Sequence, residues 1–143
     1  MPDVIFNGFL QYHLQYGLNL PIKCALFKST LTLNRDTQDV YADISAEECS
    51  GTNYTAGGKT VTGKAFTHND TLDEGTFDLD DVLWTSLTVT DARFAIFYYC
   101  DPGQPWDGKL ISAHDFGANK NPVNTDFKVK INDAGLLSWK QAA

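Results

Sequence analysis

Positive charge is scarce in this chain. Eleven Lys and Arg stand against eighteen Asp and Glu, for a net charge of −7 at pH 7. Phosphate backbones repel such a surface, and no basic patch offsets it: Lys128 and Lys130 alternate with apolar residues, as on one wet strand face. Nucleic acid is therefore excluded as a partner. Cysteine is also sparse. Cys24, Cys49 and Cys100 are far apart, and no C-x-x-C pair exists. The usual zinc and redox spacings fail, which leaves free, mostly buried thiols. Long apolar runs are missing too: the longest, Phe94 to Cys100, has seven residues, whereas a spanning helix needs about 20. No membrane partner is expected. The first residues, Met1 to Asn7, carry no Lys or Arg, so the charged start of a secretory signal is lacking and the expected site of folding is the cytoplasm.

What is present is a chain of 143 residues, enough for one domain with a real core. Ile5, Phe9, Tyr12 and Tyr16 recur at helical spacing, with Asp3 as N-cap, Gly17 at C′ and Pro21 just beyond. After Pro21 the period shifts toward two. Strands are predicted at Ile22 to Leu26, Val40 to Ile44, Thr60 to Phe66, Val82 to Val89, Arg93 to Cys100, Leu110 to Phe116, Asp126 to Ile131 and Leu136 to Trp139. The strand at Arg93 to Cys100 is apolar on both faces, so it should be central and covered on both sides. Gly, Pro, Asn and Asp punctuate the gaps. The fold class read from this pattern is mainly β: a single-domain β-sandwich or small barrel of seven to eight short strands with one short N-terminal helix. Residues 1–20 form the helix or arm, and residues 21–143 the sandwich.

Several stretches invite a chemical reading. Gly58-Lys59-Thr60 has the end of a phosphate-binding loop, but position 53 is Asn where that loop needs Gly, and Val61-Thr62-Gly63 reads as strand rather than helix. A turn leading into a strand is the better reading. Residues 70–81 hold six carboxylates. On a calcium-loop template Leu72 falls where an oxygen ligand is required, so a solvated acidic loop is the default, with a weak irregular Ca²⁺ site as the alternative. His114 and Asp115 are adjacent on a strand and point to opposite faces, so they make no dyad. His13 falls on the helix and His68 in a loop. No Ser or Cys sits in a nucleophile elbow. The reading therefore names no catalytic residue, no metal ligand and no cofactor. Trp106, in Pro102-Gly-Gln-Pro-Trp-Asp-Gly108, belongs to a loop tip and serves either as a platform for sugar or protein, or as a lid on the sandwich end.

Two blocks carry a resemblance. Asp43-Ile-Ser-Ala-Glu-Glu-Cys-Ser-Gly-Thr-Asn-Tyr-Thr-Ala-Gly-Gly-Lys-Thr60 and Asp80-Asp-Val-Leu-Trp-Thr-Ser-Leu87 are followed by Ala92 to Tyr99, Leu110 to Gly117 and Asp126 to Leu137. Together, from about Asp39 to Trp139, this pattern resembles a family of small tailed-bacteriophage structural proteins. The resemblance implies a non-enzymatic virion component without catalytic residues. Its first expectation is a capsid decoration or cement protein, binding the outer shell as a homo-oligomer with the major capsid protein or other virion proteins as partners. Its location would be the virion, and the host cytoplasm during assembly. A tail- or neck-associated protein is the alternative within that class, and a carbohydrate-binding β-sandwich module the alternative outside it. The chain departs from the pattern in its aromatic N-terminus and in the Pro102 to Trp106 loop. The candidate partner contacts are accordingly Phe9, Tyr12, Tyr16, Leu18 and Trp106.

Overall fold

The computed structural model describes residues 15–140. Ten strands are present among the described residues: β1 (Ile22–Lys28), β2 (Gly51–Thr52), β3 (Lys59–Thr60), β4 (Ala65–Asn69), β5 (Glu74–Asp78), β6 (Val82–Val89), β7 (Ala92–Tyr99), β8 (Leu110–Lys120), β9 (Thr125–Val129) and β10 (Leu137–Lys140). They form three antiparallel sheets, ordered β3-β1-β7-β8, β2-β6-β9 and β10-β5-β4. The fold is mainly β, as the periodicity predicts, and none of the described sheets closes into a barrel. The chain groups into two compact units. Residues 21–61 and 82–129 form one, and the described parts of 1–20, 62–81 and 130–143 form the other.

The larger unit contains the first two sheets. β1 and β7 pair along their full lengths, from Ile22 opposite Tyr99 to Lys28 opposite Ala92. Period two then sorts their side chains. Cys24, Leu26, Ala95 and Phe97 share one face, and Ala25, Phe27 and Ile96 the other; all seven are buried. Burying both faces is what the unbroken apolar run of β7 demands. The second of these faces carries a cluster of Ala25, Phe27, Ile96 and Tyr98 with Leu31 and Ile44, and Tyr41 packs against it. The excursion between β1 and β3 thus supplies its cover. β6 alternates instead: Val82, Trp84, Leu87 and Val89 are buried, while Leu83 and Thr85 are exposed. Each large side chain so buried contributes about 1.5–3 kcal/mol relative to exposure.

The smaller unit holds β4, β5 and β10. Its register places Phe66 opposite Phe77 and Phe77 opposite Leu137, giving one apolar rank. Thr67, Thr76 and Ser138 form the next rank on the reverse face. A Cβ on Gly75 would lie 2.6 Å from the Trp139 ring, so the glycine leaves room for that indole.

Three local expectations are corrected. Val40 to Ile44 is not a strand: 3-10 turns occupy Tyr41–Asp43 and Ser45–Glu47. The Asp43 carboxylate accepts hydrogen bonds from the Asp39 and Val40 N–H groups and folds the chain back on itself, overriding the alternation. The predicted strand Thr60 to Phe66 is two, β3 and β4, interrupted at Gly63, whose φ is +65°. The helix runs over residues 15–18 among the described residues, so Gly17 lies within it rather than at C′. Asp3, Ile5, Phe9 and Tyr12 lie outside the described residues, as does His13.

Candidate functional site

The Ser50 to Thr60 turns are fastened to the larger unit by one carboxylate. β3 pairs with β1 only at Lys23 and Cys24, so the rest of that β1 edge needs other partners. The Cys49 N–H donates to the Leu26 carbonyl at 2.9 Å, and the Leu26 N–H donates to the Tyr54 hydroxyl at 2.9 Å. Tyr54 in turn donates to Glu48 Oε1 at 2.7 Å, and the Gly57 N–H donates to the same oxygen at 2.8 Å. The Tyr41 hydroxyl donates to Glu48 Oε2. Tyr98 donates to the Gly57 carbonyl at 2.6 Å, and its ring stacks on Tyr41 at 4.7 Å between centroids. Burial, and after it the hydrogen bond to Glu48, raise the Tyr41 and Tyr54 phenols above their ordinary 10.0. Burial alone leads the same shift at Tyr98. Gly58 completes the turn at φ +77°, and a Cβ there would sit 1.9 Å from the Cys24 carbonyl oxygen. Lys59 then enters β3, donates to the Leu83 carbonyl and lies 6.0 Å over the Trp84 ring. A turn feeding a strand is what the spacing predicts here, and the polar groups of the block are spent inside the fold.

The Trp106 loop has its own internal bonds. The indole N–H donates to Asp101 Oδ2 at 2.8 Å, and the Asp101 N–H donates to Asp107 Oδ1 at 2.7 Å. Trp106 is half-buried, while the flanking Pro102 to Pro105 are exposed. The loop meets the excursion between β1 and β3, because the Tyr41 N–H donates to the Gly108 carbonyl at 2.7 Å and Val40 bridges to Lys109. The Leu110 N–H donates to the Asp39 carbonyl at 3.0 Å. These bonds bring residues 33–41, the Trp106 loop and the start of β8 together at one end of the larger unit.

A cavity of roughly 310 Å³ opens there, within the usual range for a small-ligand site. Leu33, Ile96, Leu110, Ile111 and Ala113 supply its apolar lining, and Arg35 and Asp39 its charged groups, with Asn34 and Gln38 beside them. Ser112 lies opposite Phe97, so its buried Oγ, which has no hydrogen-bond partner among the described residues, is on the face of Phe97 and not on that of Ile96. Sequence reading gave no signal for this site. Its residues come from one loop and two strands, β7 and β8, more than 50 positions further along the chain, and none belongs to a motif.

The other candidates are dispersed. Tyr16 is 65% exposed, whereas Leu18 is buried; Phe9 and Tyr12 lie outside the described residues. The acidic segment 70–81 is partly strand, which its charge conceals in the sequence. Glu74 pairs with Lys140 at 3.4 Å, Asp80 Oδ2 accepts from the Thr62 hydroxyl, and Asp81 Oδ1 from the Ile131 N–H. No group of three or more His, Cys, Asp or Glu that could hold a metal occurs among the described residues. His68 lies on β4, not in a loop, with Nε2 3.5 Å from Asp70. Asp115 turns to Arg93, which donates to it through Nε at 2.5 Å and Nη2 at 3.1 Å, while His114 meets the Phe116 ring edge-on. That guanidinium holds the Asp115 carboxyl below its usual range. Cys24, Cys49 and Cys100 are free thiols, the first two buried. No described helix is long and apolar enough to cross a membrane. In comparisons with known proteins, the chain matches no protein family, no curated protein and no solved structure.

Proposed function

We propose that this chain is a non-enzymatic bacteriophage virion structural protein, and specifically a capsid decoration protein that binds the outer shell. One observation carries the reading. In the blocks that resemble that family, Glu48, Tyr54 and Gly58 build the edge closure of the larger unit, Asp80 and Asp81 take internal hydrogen bonds, and Trp84 is core. Residues spent this way give a β scaffold whose outward loops remain available to partners. An acidic surface agrees with a place outside a DNA-filled shell. A protein that binds across neighbouring shell subunits favours the assembled state by mass action.

The Trp106 loop and Tyr16 are the described surfaces assigned to those contacts. Co-sedimentation with capsids of the cognate phage tests the reading. The wild-type chain pellets with shells in saturable amount, and Trp106→Ala or Tyr16→Ala reduces the bound fraction. A chain that stays in the supernatant at every ratio refutes decoration. A glycan array with the same Trp106→Ala variant tests the carbohydrate-module alternative: specific glycan binding lost on substitution would replace the virion reading.

A further inference from the structure

Lys64 belongs neither to the cavity nor to the Trp106 loop, yet its side chain is committed. It follows Gly63, the break between β3 and β4, and the point from which it projects is fixed. The Asp80 N–H donates to the Thr62 carbonyl at 2.9 Å, and the Thr62 hydroxyl donates to Asp80 Oδ2 at 2.9 Å. A Cβ on Gly63 would lie 2.2 Å from Asp80 Oδ1, so only glycine lets that carboxylate sit against the chain, and φ there is +65°. From this point the Lys64 ammonium donates to the Asn19 carbonyl at 3.0 Å and to the Leu20 carbonyl at 2.7 Å. Among the described residues it forms no ion pair. Both bonds therefore go to the end of the helix at residues 15–18. That end is closed by the Asn19 N–H, which donates to the Gln15 carbonyl at 3.0 Å, and by the Leu20 N–H, which donates to the Gly17 carbonyl at 3.2 Å. Carbonyls at a helix C-terminus lack intrahelical donors and carry partial negative charge, so a cation is stabilising there. Burial lowers the ammonium below its usual 10.5. The same helix turn presents Tyr16 outward, at 65% exposure, and Leu18 inward, at 7%.

We propose that Lys64 is the positioning residue of the Tyr16 contact: its ammonium clamps the helix end and so holds Tyr16 outward before a partner arrives. Only the partner in this inference rests on the virion reading; the clamp is a property of the free chain. Helix ends without an anchor fray. A frayed end must be ordered again on binding, which weakens the complex. Leu18 anchors the turn by burial and Lys64 anchors it by charge, and Tyr16 is left free to meet a partner.

The test combines amide hydrogen exchange of the free chain with capsid co-sedimentation, on Lys64→Met, Lys64→Arg, Tyr16→Ala and the Lys64→Met, Tyr16→Ala double variant. Lys64→Met is expected to speed exchange at the Asn19 and Leu20 amides about two- to fivefold, the scale of a cation at a helix C-terminus. The β7 amides stay as in the wild type, which shows that the fold is retained. Capsid binding weakens by a similar factor. Lys64→Arg keeps a charged donor at the site and restores most of both. In the Tyr16→Ala background Lys64→Met has no further effect on binding, because it acts through that side chain. Unchanged exchange at Asn19 and Leu20 overturns the clamp, and so does faster exchange that includes β7. Wild-type binding by Lys64→Met overturns the link to the contact, as does an equal loss with and without Tyr16. A wild-type chain that binds no capsid refutes the virion reading and the Tyr16 link with it, while exchange still decides the clamp.

Discussion

Replacing Glu48 by Ala removes one carboxylate and strands three donors: the Tyr41 hydroxyl, the Tyr54 hydroxyl and the Gly57 N–H. Tyr54 is the critical one, because it also accepts from the Leu26 N–H and so links the turn to the β1 edge. Hydrogen bonds to a charged group contribute about 1.5–3 kcal/mol each when buried. Glu48 is half-exposed and water replaces part of the loss, so about 1 kcal/mol per bond is the appropriate scale here, or about 3 kcal/mol in total. A chain of this size has about 7–15 kcal/mol of stability, so the loss is large but survivable. At about 2–4 °C per kcal/mol, the midpoint of thermal unfolding should fall by about 6–12 °C. The control is the neighbouring Glu47→Ala, which gives up a single contact from the Thr30 hydroxyl and should cost under about 1 kcal/mol. Urea titration followed by Trp fluorescence measures both. If Glu48→Ala is no more destabilising than Glu47→Ala, the carboxylate does not fasten the turn and the edge-closure argument fails.

Three further outcomes are expected. Gly58→Ala combines a positive φ with a Cβ 1.9 Å from the Cys24 carbonyl oxygen and should cost about 3 kcal/mol or more; Gly103→Ala, also at positive φ but with open space around it, should cost only about 1 kcal/mol by the same urea titration. At high pH, unfolded phenols ionise near their ordinary 10.0 while Tyr41, Tyr54 and Tyr98 resist. The unfolded state then binds fewer protons, so stability is unaffected well below pH 10, falls as pH rises above it, and an absorbance titration should show those phenolates appearing with unfolding. Cys24 is raised by burial, and Cys49, raised chiefly by burial, is pushed up to about 11; a thiol reagent at about pH 8 should label no more than Cys100 until denaturant is added.

Periodicity and turn chemistry made most of the larger unit legible. β1, β6, β7 and β9 follow alternations that a two-sided or one-sided burial requires, and the Gly57-Gly58 turn follows from its own residues. Where the sequence misled, a polar side chain outcompeted the pattern. Asp43 captures two backbone N–H groups and turns an alternating stretch into 3-10 turns. β5 was hidden by charge: Glu74 and Asp78 flank a Gly-Thr-Phe core whose partners, β4 and β10, are not recognisable from the segment itself. β2 has only two residues and leaves no periodicity to read. Of the expected contacts, Trp106 and Tyr16 could be judged aromatic and loop- or helix-borne from sequence. The inward turn of Leu18 and the bond between the Trp106 indole and Asp101 depend on tertiary placement. The cavity beside β8 was illegible because Arg35, Asp39, Ile96 and Leu110 meet only after β1, β7 and β8 have paired.

The virion reading is tested most directly by locating this chain in a reconstruction of the phage particle that encodes it. The account predicts density for its β-sheets in many symmetry-related copies on the outer icosahedral shell, bridging neighbouring capsid subunits, with the Trp106 loop or Tyr16 at the contact. Density confined to the tail or the unique vertex would contradict decoration, and purified particles that lack the chain altogether would contradict a virion role of any kind.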